Sequence, residues 1–302
     1  MTYFGITPSG VTVCLPQPVE VRFNRSEDAP ADGFSGTFPL EKSYGNLTGI
    51  MIYDKNHEVC FDGIVDIQKE SCADKMMLML VARSRAALLL DNEAVPQTYG
   101  MPSLATIFAR HVQPYGFTTF YGNVKAFNGE LTITKGMSEW QAAAEFCTRF
   151  LHVKPRVLDR VFDASGTRPL NEIQFDNTGG IRYSAMTFEN QYCRLLPDLM
   201  IQQGTDGTYC TVMKDETAAQ MGIRRRRCLS SGQNAGNLIQ AARRKAFCVK
   251  SECPGEIPAQ LLQNASVHDK VLGTINGLYV SEIDYTLNSL EETTCFVLRR
   301  ME

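Results

Sequence analysis

The hydrophobic period changes twice along this chain, and that change limits the fold more than any single motif. Up to about residue 95 the apolar residues come in short strand-like runs. Val11-Thr12-Val13-Cys14-Leu15, Val19-Glu20-Val21-Arg22-Phe23 and Gly49-Ile50-Met51-Ile52-Tyr53 are examples. Between about 96 and 158 a helical period takes over: Leu104, Ile107, Phe108, His111, Val112 and Tyr115 recur at i, i+3, i+4, i+7, i+8 and i+11. Beyond about 160 the short runs return. A period of two marks a strand with unlike faces, and a period near 3.6 marks an amphipathic helix. The order is therefore β, then α/β, then β.

Local signals fill in the pattern. Asp54-Lys55-Asn56-His57 lies between two β runs and predicts a hairpin, with a further strand from Lys75 to Ala82. Pro102 opens the first helix and Gly116 closes it. Leu131-Thr132-Ile133 predicts a short strand, and Ser138-Glu139-Trp140-Gln141 has the Ser-x-x-Gln form of a capping box. That helix should run to about Leu151, with Trp140 packed in the core. In the last third, Ile173–Phe175, Ile181–Ser184 and Tyr192–Leu195 read as strands. Leu199–Gln202 and Tyr209–Met213 flank a turn at Thr205-Asp206-Gly207-Thr208. A short helix from Asp215 to Met221 should close at Gly222, and a final helix should span about Asn237 to Val249. The segment Leu278–Leu287 alternates strictly: Tyr279, Ile283, Tyr285 and Leu287 share one face with Ser281, and Val280, Glu282, Asp284 and Thr286 form a wet face. A turn at Asn288–Glu292 leads into a last strand, Thr293–Arg299.

Composition narrows the function. At 302 residues a sizeable core can be buried. A net charge of −3 gives no global attraction to nucleic acid or to an anionic membrane. The longest apolar stretch, Ala86–Leu90, is far too short to span a bilayer. The first residues, Met1–Gly5, lack the basic and apolar regions of a signal peptide, so synthesis in the cytoplasm without Sec export is expected.

The chemistry-bearing residues form no known constellation. The ten cysteines, at 14, 60, 72, 147, 193, 210, 228, 248, 253 and 295, contain no Cys-x-x-Cys pair, and Cys248 and Cys253 have no histidine nearby. Small buried hydrophobes in a reducing compartment are expected instead. The four histidines, His57, His111, His152 and His268, could support a Cys-His hydrolase. Yet no cysteine sits in a nucleophile elbow, and there is no Gly-x-Ser-x-Gly, His-Glu-x-x-His or phosphate-binding loop. His111 lies on the apolar helix face and is expected to be packed. Asp159, Asp163, Glu172 and Asp176 make an acidic neighbourhood, expected to be solvated. No catalytic, cofactor-binding or metal-binding residue is assigned. The sharpest charge feature is Arg224-Arg225-Arg226-Arg227. It is either a contact with an acidic protein surface or a solvated strand edge, with DNA the weaker alternative. Arg243-Arg244-Lys245 should lie on the solvated face of the last helix.

Four features taken together resemble the baseplate hub proteins of contractile-tailed phages and phage-like particles, the late-control protein D family, which is related to the hub part of type VI secretion spike proteins. They are Arg83–Asp91 at the exit of the first β block; the helix Leu104–Arg110 closing at Pro114-Tyr115-Gly116-Phe117; Lys135–Gln141 opening a helix through Glu145-Phe146-Cys147; and Ala241–Arg244 followed by Cys253-Pro254-Gly255 and Gly277–Tyr285. Their order and spacing cover nearly the whole chain. Two departures stand out: the turn at Leu290-Glu291-Glu292 lacks a glycine, and Val267-His268-Asp269-Lys270 replaces a Gly-Asp pair.

The resemblance implies an α+β, mostly β fold with two hub-type antiparallel β-barrel domains, residues 1–95 and 159–302, and an α/β insert at 96–158. A helical excursion at about 215–250 interrupts the second barrel. It further implies a structural, non-enzymatic homotrimer whose six barrels form a pseudo-sixfold ring joining the tail tube protein to the central spike protein. Tape-measure and baseplate wedge proteins are further candidate partners. No membrane, no cofactor and no direct nucleic-acid contact are expected, and the place of action would be the baseplate of a virion or tail-like particle. Two readings of other classes stay open: a tail-associated cell-wall hydrolase, and a stand-alone β-rich module that binds carbohydrate or protein.

Overall fold

Among the described residues, strands make up 48% and helices 18%. The structure is a computed structural model that describes residues 1–301 apart from 55, 73, 204–207, 231–233 and 272. The backbone divides into two compact units. The first is Met1–Arg168 with Asp284–Glu292; the second is Pro169–Ile283 with Thr293–Glu302.

The first unit is built on seven antiparallel strands. Their spatial order is Glu20–Ser26, Gly33–Pro39, Met76–Ser84, Val59–Cys72, Gly49–Tyr53, Thr2–Ile6 and Thr12–Cys14. Alternation dictates the buried face. Phe34 and Phe38 point inward from one strand, and Leu78, Leu80 and Ala82 from its neighbour. Phe23 and Phe61 meet edge-to-face with ring centroids 5.3 Å apart. A bulge between Val65 and Ile67 re-aims the outer half of the long hairpin made by Val59–Cys72 and Met76–Ser84. Gly63 is required just before it, since a Cβ there would lie 2.4 Å from the Phe61 ring and 2.7 Å from the Arg83 carbonyl oxygen. The tip of the terminal hairpin also belongs to this unit: Tyr285 is buried in its core, and Asn24 donates to the Asp284 carboxylate.

The same unit carries the helical segment. Ser103 Oγ accepts from the Thr106 amide at 3.2 Å and caps the first helix. This helix passes through Leu104–Ile107, a π turn at Phe108–Val112 and a 3₁₀ turn at Gln113–Tyr115, and Gly116 ends it at φ 88°. The capping box at Ser138 and Gln141 forms in full, and Glu139–Phe146 continues through a π turn at Cys147–Leu151. The two helices pack their apolar stripes together with Leu131, Ile133 and Phe162, and Trp140 meets Phe162 edge-to-face. Gln97–Gly100 pairs with Glu130–Ile133, and Val161–Ala164 pairs with both Arg156–Leu158 and Thr119–Gly122.

The second unit holds strands Ala185–Asn190, Phe247–Pro254, Glu292–Arg300 and Gly273–Leu287 in that order. Asn264–Asp269 adds to the last of these, and Glu172–Asp176 pairs parallel with Asn264–Asp269. Phe175 and Phe296 pack at 5.2 Å in its core. The excursion from this sheet is a separate three-stranded layer. Asp198–Gln203 lies between Thr208–Lys214, antiparallel, and Arg226–Leu229, parallel. Helices Glu216–Gln220 and Ala235–Ala246 complete it.

Several sequence expectations need correction. Tyr192–Arg194 is a 3₁₀ turn, not a strand. In Ile181–Ser184 only Ile181 makes a strand bridge, and the strand starts at Ala185. The last helix stops at Ala246, because Phe247 onward is drawn into the sheet by pairing with both neighbours. The wet face expected for Leu278–Leu287 holds only beyond its first half. Leu278 and Val280 are as buried as Tyr279, since this stretch is an inner strand covered on both sides. The turn at Thr205–Gly207 lies outside the described residues.

Candidate functional site

The residues that carry the sequence resemblance act first as pins. Arg83 donates to Asp66 through Nε at 2.7 Å and to Asp91 through Nη2 at 2.7 Å, tying the bulged strand to the short helix Ala86–Asp91. Arg85 Nε and Arg160 Nε donate to the same buried oxygen, Asp62 Oδ2, at 2.7 and 3.0 Å. One carboxylate thus joins a strand, the sheet-to-helix corner and the turn before Val161. In the second unit Thr294 Oγ1 donates to the Gly255 carbonyl at 2.7 Å, holding the Cys253-Pro254-Gly255 corner. The turn without glycine closes by side chain instead: Asn288 Oδ1 accepts from the amides of Leu290 and Glu291 at 2.8 and 3.1 Å.

The histidines are scattered. His57 and His152 occupy left-handed turn positions at φ 62° and 56°. His268 is exposed and bonds Thr274 at 2.8 Å. His111 is buried, held by Glu139 Oε2 at 2.5 Å and the Tyr99 hydroxyl at 2.8 Å. No cysteine joins this cluster. Cys147 is buried, and burial pushes its thiol up to about 12; burial also raises Cys248 and Cys253. These three are therefore poor nucleophiles at neutral pH. Among the described residues no group of three or more His, Cys, Asp or Glu could hold a metal ion.

Of the acidic neighbourhood, Asp159 and Glu172 are exposed as expected, but the other two carboxylates are not. Asp163 and Asp176 are both buried. Burial acts to raise the Asp163 carboxyl, but the Ser165 hydroxyl and amide and the Arg156 guanidinium outweigh it and hold it below the usual carboxylate range. Asp176 is lowered by the hydroxyl and amide of Thr178. Each carboxylate organises its own turn, and Asp163 and Asp176 fall in different units.

Among the described residues the fold presents exposed surface patches. The cavity lined by Met1, Val21, Phe23, Phe34, Ile52 and Phe61 is a small apolar gap within the first core. On the outer half of the long hairpin, Leu78, Leu80 and Ala82 point inward, which leaves Met77, Met79 and Val81 on the other face opposite Ile67 and Lys69. Ile67 is 53% exposed and Met79 38%. In the second unit the Arg224–Arg227 run is exposed along its whole length. Arg243 is exposed, as predicted for the face of the last helix, and it is also paired: its Nε and Nη2 grip Asp215 at 2.9 and 2.6 Å. Sequence reasoning missed this pair because its members sit 28 residues apart. No helix among the described residues is long and apolar enough to cross a membrane.

No family model and no curated protein matches the chain in sequence. Solved structures do match it in fold. A tail protein from Neisseria meningitidis MC58 superposes with a TM-score of 0.78 at 16% identity, covering 100% of this chain and 97% of that one. The 43 kDa tail protein of prophage MuSo2 from Shewanella oneidensis gives 0.77 at 14% identity, with coverage of 99% and 98%. The E. coli c3393 protein, a type VI secretion system component with structural similarity to the T4 bacteriophage tail proteins gp27 and gp5, gives 0.60 at 8% identity, with coverage of 95% and 75%. The chain therefore has the fold of phage tail proteins and of a type VI secretion component related to them.

Proposed function

We propose that this chain is a structural, non-enzymatic hub subunit in the baseplate of a contractile tail or tail-like particle. Three copies form a ring that joins the tail tube to the central spike. The observation that carries this reading is the fold match to two tail proteins over nearly the full length of both partners. A threefold spike cannot pack equivalently on a sixfold tube. A subunit with two similar β domains solves this, because three copies present six similar faces. In this reading residues 1–95 and 159–302 supply the two hub-type barrels and 96–158 the insert.

The surfaces described above suit such work. The stripe of Ile67, Met77, Met79 and Val81 is available for burial between copies, and chain edges such as Thr12–Cys14 and Ala185–Asn190 offer backbone groups for pairing. A hydrolase reading draws no support from the buried, proton-holding thiols or from the dispersed histidines. Electron microscopy of the purified chain tests the proposal: ring-shaped particles with threefold averages are expected, and a field of single compact monomers would overturn it.

A further inference from the structure

The excursion from the second unit is strongly basic in an acidic chain. Residues 192–246 contain nine Lys and Arg against four Asp and Glu, a net of +5 where the whole chain carries −3. Four of those cations are Arg224–Arg227, and all four are exposed, as is Cys228. All are arginine, whose planar fork matches a carboxylate with two parallel hydrogen bonds.

The strand they enter lies at an edge. Arg226–Leu229 pairs only with Asp198–Gln203 among the described strands, so the backbone groups on its other side are free to accept an added strand. Register sorts its side chains. Arg227 and Leu229 share a face with Leu199 and Ile201, and Leu229 packs with Ala235 and Ile239 of the last helix. Arg226 and Cys228 share the opposite face with Asp198 and Met200, and across the antiparallel neighbour with Lys214 and Val212. Val212 is 45% exposed. That face thus has an open aliphatic and thiol centre flanked by Arg226 and Lys214. Internal contacts absorb little of the charge. Arg225 donates to the Cys193 carbonyl, and Arg226 lies 4.0 Å from Asp198 at the surface. Among the described residues Arg224 and Arg227 have no carboxylate partner.

A merely solvated edge explains the exposure but not the apolar centre beside it. Nucleic acid would be met by phosphate contacts and by aromatic platforms for the bases, and this centre is Met200, Val212 and Cys228. We propose that the free edge and outer face of Arg226–Leu229 bind an extended acidic segment of a partner protein as an added strand. Backbone pairing supplies its direction, the apolar centre takes one side chain, Arg224 and Arg226 take carboxylates beside it, and Arg227, which alternates to the other face of the strand, takes a carboxylate from the opposite side of the added segment. Such a site would serve any assembly that includes this chain.

The test is fluorescence anisotropy on the full chain with three labelled probes. These are a twelve-residue peptide of three Glu-Glu-Val-Thr repeats, which puts Glu and Val on one strand face and Glu and Thr on the other, the same peptide N-methylated at alternate amides, and a (dT)7 oligonucleotide of equal charge. The unmodified peptide should bind most tightly, and N-methylation should weaken it at least ~10-fold. Arg226→Glu/Arg227→Glu should also weaken it at least ~10-fold, because the reversal sets like charges against the peptide. Arg182→Glu/Lys270→Glu, an equal charge change at exposed positions of the same unit, should leave binding within about twofold. Absence of peptide binding, tighter binding of (dT)7, indifference to N-methylation, or equal loss in both double variants would each overturn the proposal.

Discussion

His111 Nδ1 lies 2.5 Å from Glu139 Oε2, with both side chains buried. The contact joins the π turn of one helix to the first turn of the next. Tyr99 closes the other side of the imidazole at 2.8 Å, and the Tyr115 hydroxyl donates to Glu139 Oε1 at 3.0 Å. Burial and the nearby Glu139 carboxylate raise both tyrosines, so they remain hydrogen-bond donors at physiological pH. Removing one member strands the others. Glu139→Ala should destabilise the insert by about 1–3 kcal/mol, the usual cost of leaving a buried hydrogen-bond partner unsatisfied. Glu139→Gln should cost less, because the amide oxygen still accepts. Urea unfolding followed by the fluorescence of Trp140, the sole tryptophan, measures both.

Asp215 gives a pH dependence with a definite sign. The Arg243 guanidinium and the Ala218 amide hold its carboxyl below the usual range against the opposing effect of burial. A carboxyl depressed on folding contributes stability that is fully present above its unfolded pKa of about 3.9 and is lost as pH falls through the folded value. Amide exchange in Glu216–Gln220 should therefore accelerate as pH drops from about 5 towards 2, after correction for intrinsic rates. Asp215→Asn should flatten that dependence and cost about 1.5–3 kcal/mol at pH 7, the range for a hydrogen bond to a charged group.

Gly63 is fixed by close approach rather than by an unusual φ. A methyl group there meets the Phe61 ring and the Arg83 backbone, and the backbone cannot yield without disturbing the bulge. Gly63→Ala should destabilise the first unit by about 1–3 kcal/mol, the usual cost of overpacking. Gly33, in the same sheet with nothing within 4 Å of its added Cβ, should accept alanine at well under that cost. Thermal unfolding of the two variants side by side makes the comparison.

The cysteines should separate by burial. Cys14, Cys72, Cys193 and Cys228 are exposed, and Cys147, Cys248 and Cys253 are buried. With iodoacetamide at pH 8 the exposed group should alkylate at least ~100-fold faster than Cys147, whose thiolate is scarce as well as shielded. Peptide mass spectrometry over a time course reads this directly, and adding urea should bring the buried thiols up to the exposed rate.

Periodicity made much of this fold legible. The helix from Leu104 to Gly116, the capping box at Ser138 and the inward Tyr279 and Tyr285 follow from spacing alone, because each records which face meets the core. Errors fell where tertiary pairing overrides local pattern. Tyr192–Leu195 has strand-like residues but no strand partner among the described residues, and the helical run ends at Ala246 because one strand claims Phe247 and two claim the residues from Cys248 on. Ser281 looked like an interruption of an apolar face, yet it is the buried acceptor for Arg299 Nε at 2.8 Å. Joins across sequence distance, such as Asp62 to Arg160 or Asp215 to Arg243, leave no periodic trace at all. The Arg224–Arg227 run was visible as charge, but its place on a free strand edge beside an apolar face required the fold.

Light scattering on the purified chain across a concentration series tests the hub reading most directly. A stable particle of three times the 33.7 kDa chain mass is predicted. A monomer at every concentration, or a stable even-numbered oligomer, would contradict it.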